Sequence, residues 1–233
     1  MTTIASNLQA VYEQIHLHAQ AFQRDTSAIQ LLAVSKTFSA DNVRTAYCAG
    51  QMRFAENYLQ EAVAKITALQ DLRLEWHFIG PIQSNKTRLI AEHFAWVHSV
   101  DKLKIAERLS AQRPLNLPPL QICLQVNISN EASKSGVASD ELLPIALQLA
   151  RLPNLKLRGL MAVPAASDDV ALQRAAFAKL RELRDELNQH GLQLDTLSMG
   201  MSHDFPAAIA EGATLLRIGS AIFGNRIYSK ETV

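Results

Sequence analysis

The sequence is poor in cysteine, and its charges are balanced. Two cysteines, Cys48 and Cys123, occur in 233 residues, too few for a disulfide framework or a zinc-binding cluster. We expect both to be small, buried hydrophobic residues. The 23 basic and 22 acidic residues form no clustered basic face, which argues against nucleic acid as a partner. The seven histidines lack the paired spacing with a carboxylate that a zinc-binding helix shows, so no metal is expected.

Long apolar runs are also missing. No window approaches the stretch of about 18 uncharged apolar residues that a membrane-spanning helix needs. The amino-terminal stretch Met1–Arg24 carries Asn7, Gln9 and Glu13 instead of the apolar segment of a signal peptide. The composition, 48% hydrophobic and 19% charged, is that of an ordinary globular protein. We therefore expect a cytoplasmic protein that folds as a single domain over residues 1–233.

Short apolar runs alternate with amphipathic segments along the whole chain. The predicted strands are Leu31–Ser35, Met52–Ala55, Trp76–Ile79, Trp96–Val100, Leu120–Val126, Leu157–Ala162, Leu194–Met199 and Leu215–Ile218. Several runs are apolar at consecutive positions, which is typical of a parallel strand buried on both faces. About eight strands, each followed by a helix and preceded by one extra helix, favour a (β/α)8 TIM-type barrel. The alternative is an open doubly wound sheet, but the turn Ser35–Phe38 lacks the glycines of that fold.

The clearest helical segment follows Asp168, which we predict to be its N-cap. The stripe that should face the core consists of Ala176, Leu180, Leu183 and Leu187. Gly191 is the predicted stop, because glycine readily adopts the left-handed conformation that ends a helix.

Candidate site residues lie where predicted strands end, which is the functional edge of such a barrel. Lys36 ends the first strand, and partial desolvation of its amine would favour a Schiff base; alternatively it is a solvated lysine that starts a loop. Gly219 and Ser220 follow the eighth strand and form either a phosphate-binding turn or a plain turn. Ser202, after the seventh strand, is either a hydroxyl donor or a helix N-cap. Because the first and eighth strands must pair, we expect Lys36, Arg217 and Ser202 to converge.

Two further polar segments follow the second and third predicted strands. They contain Asn57 and His77. A histidine within a strand is more often a hydrogen-bonded core residue than a catalyst, so His77 alone carries no functional assignment.

Seven motifs occur in a familiar order: AVSKTF, FAENYLQE, WHFIGPIQSNK, SKSG, GLMAV, LSMGMSHDF and LRIGSAIFGNR. Together they resemble the YggS/PROSC family of pyridoxal phosphate homeostasis proteins over nearly the whole chain. The resemblance implies a fold type III barrel that binds pyridoxal 5′-phosphate (PLP), related to the amino-terminal barrel of alanine racemase. One departure is Ala55, where the family usually has glycine; the extra methyl group should tighten that turn without removing binding.

The resemblance also implies a role for each candidate residue. Lys36 would hold the cofactor as an internal aldimine, and Arg217 would face the pyridine nitrogen. The implied phosphate ligands are Ser198, Ser202, Gly219 and Ser220, and the implied pocket-lining residues are Asn57 and His77. Lys134, in the SKSG segment, corresponds to a basic residue near the phenolic oxygen in the related racemases.

Arginine opposite the ring nitrogen predicts a carrier more than a catalyst. A guanidinium stays protonated, so the pyridine remains neutral and is a weak electron sink. Racemases of this fold also carry a second β-domain, for which we expect no room before Val233. The prediction is a largely non-catalytic, monomeric protein that buffers PLP and passes it to apo-enzymes. The alternatives are a small amino-acid racemase, a lyase or aldolase that uses Lys36 without a cofactor, and a purely structural protein.

Overall fold

Eight parallel strands form a closed barrel in chain order in the computed structural model, which describes residues 3–129 and 135–224. The strands are β1 Gln30–Val34, β2 Arg53–Glu56, β3 Glu75–Phe78, β4 Trp96–Val100, β5 Leu120–Gln125, β6 Leu155–Met161, β7 Thr196–Ser198 and β8 Leu215–Ile218. The barrel closes where β1 pairs with β8, with Leu32 opposite Arg217. The predicted TIM-type barrel is confirmed, and the open sheet is wrong.

Each strand leads into a helix, and one further helix precedes the first strand. The helices are α1 Ile4–Ala21, α2 Ala40–Cys48, α3 Leu59–Ala68, α4 Thr87–His93, α5 Leu103–Gln112, α6 Leu142–Leu149, α7 Val170–Gln189, α8 Phe205–Ala210 and α9 Ser220–Phe223. Short 3-10 helices cover Thr26–Ala28 and Ser139–Glu141. None of the helices in the described part of the chain has the length and apolar character needed to cross a membrane.

The extra helix α1 packs against α8 and α9, the last two helices of the barrel. Thr3 and Ser6 form a capping box at its start, which satisfies backbone N–H groups that the first turn leaves unpaired. One face, including Leu8 and Ile15, is buried, and the helix packs against α8 and α9. The Asn7 side chain donates a 3.0 Å hydrogen bond to the carbonyl of Ile222 in α9. Helix α1 therefore helps to hold the loop that follows β8.

The main apolar core lies between the barrel and its helices. Large side chains such as Phe54, Phe78 and Phe177 are fully buried there. Alternate strand residues point toward the barrel axis instead, and Leu32 and Val34 belong to a separate small cluster. Much of the remaining barrel interior is polar, with His77, His98, Ser198 and Arg217 buried there.

Three local predictions are wrong. The N-cap of α7 is Asp169 and not Asp168; the Asp169 carboxylate accepts hydrogen bonds from two backbone N–H groups of the first turn. Phe177, one position after Ala176, is the first fully buried residue of the α7 stripe, because the larger side chain reaches the core. Cys48 is exposed in the last turn of α2, whereas Cys123 is buried as predicted.

Candidate functional site

Lys36 lies just beyond the carboxyl end of β1 and is partly buried. The residues on either side of it are held by hydrogen bonds. The Ser35 N–H donates to the carbonyl of Ala55 at 3.0 Å, and the Thr37 N–H donates to Oε1 of Glu61 at 2.6 Å. Thr37 has a φ of +70°, which is rare for a β-branched residue. Strained backbone of this kind persists only where the surroundings hold it in place.

A buried ionic cluster holds the backbone beside Lys36. Its members are Glu56 at the end of β2 and Glu61 and Lys65 in α3, and we call these three residues the Lys36 clamp. The Lys65 ammonium donates to the Ser35 carbonyl at 2.7 Å and to Oε1 of Glu56 at 2.8 Å. It also pairs with Glu61 at 2.5 Å, one helical turn earlier. The clamp thus connects α3 to both neighbours of Lys36.

The clamp places ionisable groups where water is scarce. The Lys65 and Glu56 side chains are 6% and 0% exposed. Burial raises the pKa of the Glu56 carboxyl, and the ammonium of Lys65 lowers that pKa in part. A second hydrogen bond to Glu56 comes from the Ser35 hydroxyl, at 2.6 Å. Desolvation offsets much of the attraction within a buried ion pair, whereas removal of one partner leaves an uncompensated buried charge.

Arg217 reaches the barrel interior from β8 and is buried. One terminal nitrogen donates to the Ser198 hydroxyl at 2.8 Å, and the other donates to the Ala162 carbonyl at 2.9 Å. Burial lowers the pKa of Arg217 to about 10, and the nearby carboxylate of Asp204 opposes that shift. The guanidinium is therefore still a cation at neutral pH, fixed at the ends of β6, β7 and β8.

A hydrogen-bonded chain continues from Ser198 through the barrel; we call Ser198, His98, His77 and Glu75 the interior chain. The Ser198 hydroxyl and Nδ1 of His98 are 2.7 Å apart, and Nε2 of His98 is 2.9 Å from Nδ1 of His77. Nε2 of His77 is 3.0 Å from the Glu75 carboxylate. Burial lowers the pKa of both histidines, so both are neutral at pH 7.

The loops after β7 and β8 meet through two serines. The Ser220 hydroxyl donates to the Ser202 hydroxyl oxygen at 3.1 Å, and the Ala221 N–H approaches the same oxygen at 3.4 Å. A side chain at Gly219 would come within 3.0 Å of the Val34 carbonyl at the end of β1. The missing side chain therefore lets this hydroxyl-rich turn pack against the strand that leads to Lys36.

Asn57 follows β2 on the same edge of the barrel and is partly buried. Its carbonyl oxygen lies 2.1 Å from the position that a Cβ on Gly80 would occupy. Only glycine permits this close approach of the loops after β2 and β3, which holds Asn57 in place.

The structure divides the predicted site residues into two groups. At the carboxyl edge of the barrel lie Lys36, Asn57, Ser202, Gly219 and Ser220, and Arg217 reaches this edge from inside. Ser198 and His77 lie deeper and are fully buried. Lys134 falls outside the described residues.

Sequence reasoning missed the clamp and two members of the interior chain. The pair Glu61 and Lys65 has the spacing of a helical ion pair, which is a usable signal. His98 lies two positions after Trp96 in a predicted strand, so both side chains are on the same face of that strand, the face toward the barrel axis. Glu75 was left out of the third predicted strand because that strand was predicted to begin at Trp76, one residue too late.

A cavity of about 860 Å³ opens at the other end of the barrel, at the amino ends of the strands. Two ion pairs line it: Arg53 binds Glu75 at 3.1 Å, and Arg158 binds Asp195 at 2.5 Å. Arg158 also lies over the ring of Trp96. Parallel barrels carry their sites at the carboxyl ends of the strands, so the edge with Lys36 remains the candidate site.

Comparison with known proteins places the chain in a family. Residues 6–226 match the family model described as alanine racemase, N-terminal domain. The pyridoxal phosphate homeostasis protein of Pseudomonas aeruginosa is 61% identical over 228 residues, which cover 98% of each chain. The chain belongs to the pyridoxal phosphate homeostasis protein family. The predicted family membership is thereby confirmed.

Solved structures agree with this membership of the pyridoxal phosphate homeostasis protein family. PipY of Synechococcus elongatus, solved with PLP bound, is 40% identical with a TM-score of 0.85. The match covers 95% of this chain and 100% of the PipY chain. Alanine racemase from Corynebacterium glutamicum is 17% identical with a TM-score of 0.67 over 97% of this chain and 63% of its own. The second likeness shows the fold alone.

Proposed function

We propose that this chain binds PLP at the carboxyl edge of the barrel, covalently through the amine of Lys36, and that it carries the cofactor to apo-enzymes. The observation that carries the proposal is a convergence of groups on one edge. A partly buried lysine follows β1, a buried arginine rises from β8, and the Ser202–Ser220 contact joins the loops after β7 and β8. The relatives named for PLP homeostasis and the PLP-bound structure of PipY support the same ligand.

The residues at this edge fit the chemical groups of PLP. A lysine amine reacts with the cofactor's aldehyde to form a Schiff base, and Lys36 is the lysine that follows β1 at this edge. The hydroxyls of Ser202 and Ser220 suit a phosphate, and the missing side chain at Gly219 lets their turn pack against β1. The cation of Arg217 suits the lone pair of the pyridine nitrogen.

Two predicted cofactor ligands receive different roles in this proposal. The hydroxyl of Ser198 is fully buried between Arg217 and His98, so we assign it to the orientation of Arg217 and leave the phosphate to Ser202 and its neighbours. His77 is equally buried and bonds to His98 and Glu75, so it acts at a distance from the cofactor.

A carrier fits the chemistry of Arg217 better than a catalyst does. Bound PLP supplies an aldehyde for amines and, when its ring is protonated, a strong electron sink. Arg217 keeps its proton at neutral pH and so leaves the ring nitrogen unprotonated. Reversible attachment at Lys36 needs no such sink. A monomeric state and a cytoplasmic location belong to the same proposal.

The proposal is tested by absorbance spectra of the purified protein before and after borohydride, with peptide mapping. We expect a yellow band that bleaches, pyridoxyl on Lys36, and no reducible cofactor in K36A. K179A, which removes an exposed lysine of α7, should behave like the wild type. A protein that stays colourless when PLP is added would overturn the proposal in favour of a cofactor-free Schiff-base enzyme. Racemisation of L-alanine or L-serine at a useful turnover would overturn the carrier role.

A further inference from the structure

We propose that Glu75, His77 and His98 are positioning residues for Arg217. Through Ser198 they form a hydrogen-bond chain with a fixed direction, from the guanidinium to the opposite mouth of the barrel. The consequence for PLP rests on the proposed function, because Arg217 is the residue assigned to the ring nitrogen. The arrangement of protons in the chain does not depend on the cofactor.

The two ends of the chain are chemically unlike. Arg217 can only donate hydrogen bonds. At the other end, the hydrogen bond from His77 lowers the pKa of the Glu75 carboxyl, so that this group is ionised at neutral pH and can only accept. Arg53 donates to the same carboxylate oxygen at 3.1 Å, which further favours the ionised form. A pure donor at one end and a pure acceptor at the other leave one order for the protons between them.

That order follows bond by bond. Ser198 accepts from Arg217 at 2.8 Å, so its own hydrogen is available for Nδ1 of His98. With Nδ1 accepting, neutral His98 carries its hydrogen on Nε2 and donates to Nδ1 of His77. His77 in turn carries its hydrogen on Nε2 and donates to Glu75. Both imidazoles are thus neutral and hold the hydrogen on Nε2.

The reverse order is disfavoured by charge. It would point the lone pair of Nε2 of His77 at the Glu75 carboxylate, only 3.0 Å away. It would also direct two donors, from Arg217 and His98, at the Ser198 hydroxyl, whose own hydrogen would then need another acceptor. An unsatisfied polar group at a fully buried residue is costly.

The rings themselves have little freedom to turn. His77 stacks on the indole of Trp96 with 5.4 Å between ring centroids and 10° between planes. Both histidines have no exposed surface. The one end of the chain that solvent reaches is Glu75, whose side chain is 40% exposed in the cavity at the amino-terminal mouth. A substitution at Glu75 therefore affects Arg217 by changing which nitrogen of each histidine carries the hydrogen, and not by moving the rings.

The test replaces Glu75 and observes the cofactor-free protein by long-range ¹H–¹⁵N NMR of histidine and arginine side chains. Signals are assigned with H77Q, H98Q and R217K. We expect the Nε2–H tautomer for both histidines in the wild type at pH 7. E75M removes the acceptor and should shift the two histidines and the Arg217 N–H signals, whereas E75Q, whose amide oxygen still accepts, should restore them.

The matched control is E92M, the same kind of substitution on the lining of the same cavity outside the chain. It should leave the histidine and Arg217 signals unchanged. After PLP is added, E75M should bind about fivefold more weakly than the wild type, the equivalent of one neutral hydrogen bond of about 1 kcal/mol. Its absorbance band should also move, and E75Q should resemble the wild type in both respects.

Two results would overturn the inference: imidazolium or Nδ1–H signals in the wild type, or Arg217 signals that E75M leaves in place. Failure of the wild type to bind PLP is a separate outcome that refutes the proposed function. In that case the Arg217 signals of the cofactor-free protein still decide whether the chain positions the guanidinium.

Discussion

Removal of the clamp cation, by the substitution K65M, should destabilise the protein in a strongly pH-dependent way. Methionine keeps the length and apolar stem of Lys65 but leaves the fully buried Glu56 without its cation. Breaking a buried ion pair from one side costs about 3–5 kcal/mol. Glu56 can limit that cost by taking up a proton. Neutralising a carboxyl with an ordinary pKa of 4.5 at pH 7 costs about 3 kcal/mol, which is the expected penalty.

The sign of the pH effect follows from the raised pKa. Burial already raises the pKa of Glu56, and without Lys65 that pKa rises further. A carboxyl whose pKa is higher in the folded state loses stability as pH rises from 4.5 toward the folded value. The penalty of K65M should therefore fall to about 1 kcal/mol at pH 5, where protonating Glu56 costs little.

The assay is urea unfolding of the cofactor-free protein, followed by circular dichroism at pH 5 and pH 7. The double variant K65M/E56Q serves as the control, because a neutral amide at position 56 removes the charge. Its penalty should be smaller at pH 7 and independent of pH. A K65M penalty that is equal at the two pH values, or unchanged when Glu56 is replaced, would refute the assignment of a buried, ion-paired carboxylate.

Two further predictions concern the cofactor ring and the barrel wall. R217E should move the absorbance of bound PLP toward the spectrum of a protonated ring, because a carboxyl group can share a proton with the ring nitrogen. R217Q, which has no carboxyl group, should not cause this shift. An unchanged R217E spectrum would count against the position of Arg217 beside the ring nitrogen. G159A should lower the free energy of unfolding by at least about 2 kcal/mol, since the added Cβ would lie 1.8 Å from the Thr196 carbonyl between β6 and β7. A cost below about 0.5 kcal/mol in urea unfolding would contradict that contact.

Much of the fold follows from local pattern. Strands β4 and β8 were predicted with the observed limits, Trp96–Val100 and Leu215–Ile218, because runs of apolar residues mark strands that are buried on both faces. The limits of β7 were too wide: Leu194–Met199 was predicted, and Thr196–Ser198 is observed. Apolar residues beside a strand look the same in sequence as residues that pair within it.

The candidate edge could also be located from sequence. Lys36 and Gly219 directly follow predicted strands, and all such positions in a parallel barrel lie on one edge. The family motifs then predict which cofactor binds at that edge. This prediction is specific because the motifs occur in the family's order over nearly the whole chain. The ionic clamp behind Lys36 was missed because its members belong to two elements, β2 and α3, and their contacts form only when these elements pack together.

What the sequence alone determined is therefore the barrel, its family and the edge that carries Lys36. Only the tertiary structure decided which buried polar groups share hydrogen bonds. His98 and Ser198 are 100 positions apart and meet because both side chains point into the closed barrel, from β4 and β7. The same structure shows Ser198 bound to Arg217 inside the barrel. A strand pattern tells which side chains point inward, but the distance across a closed barrel depends on all eight strands at once.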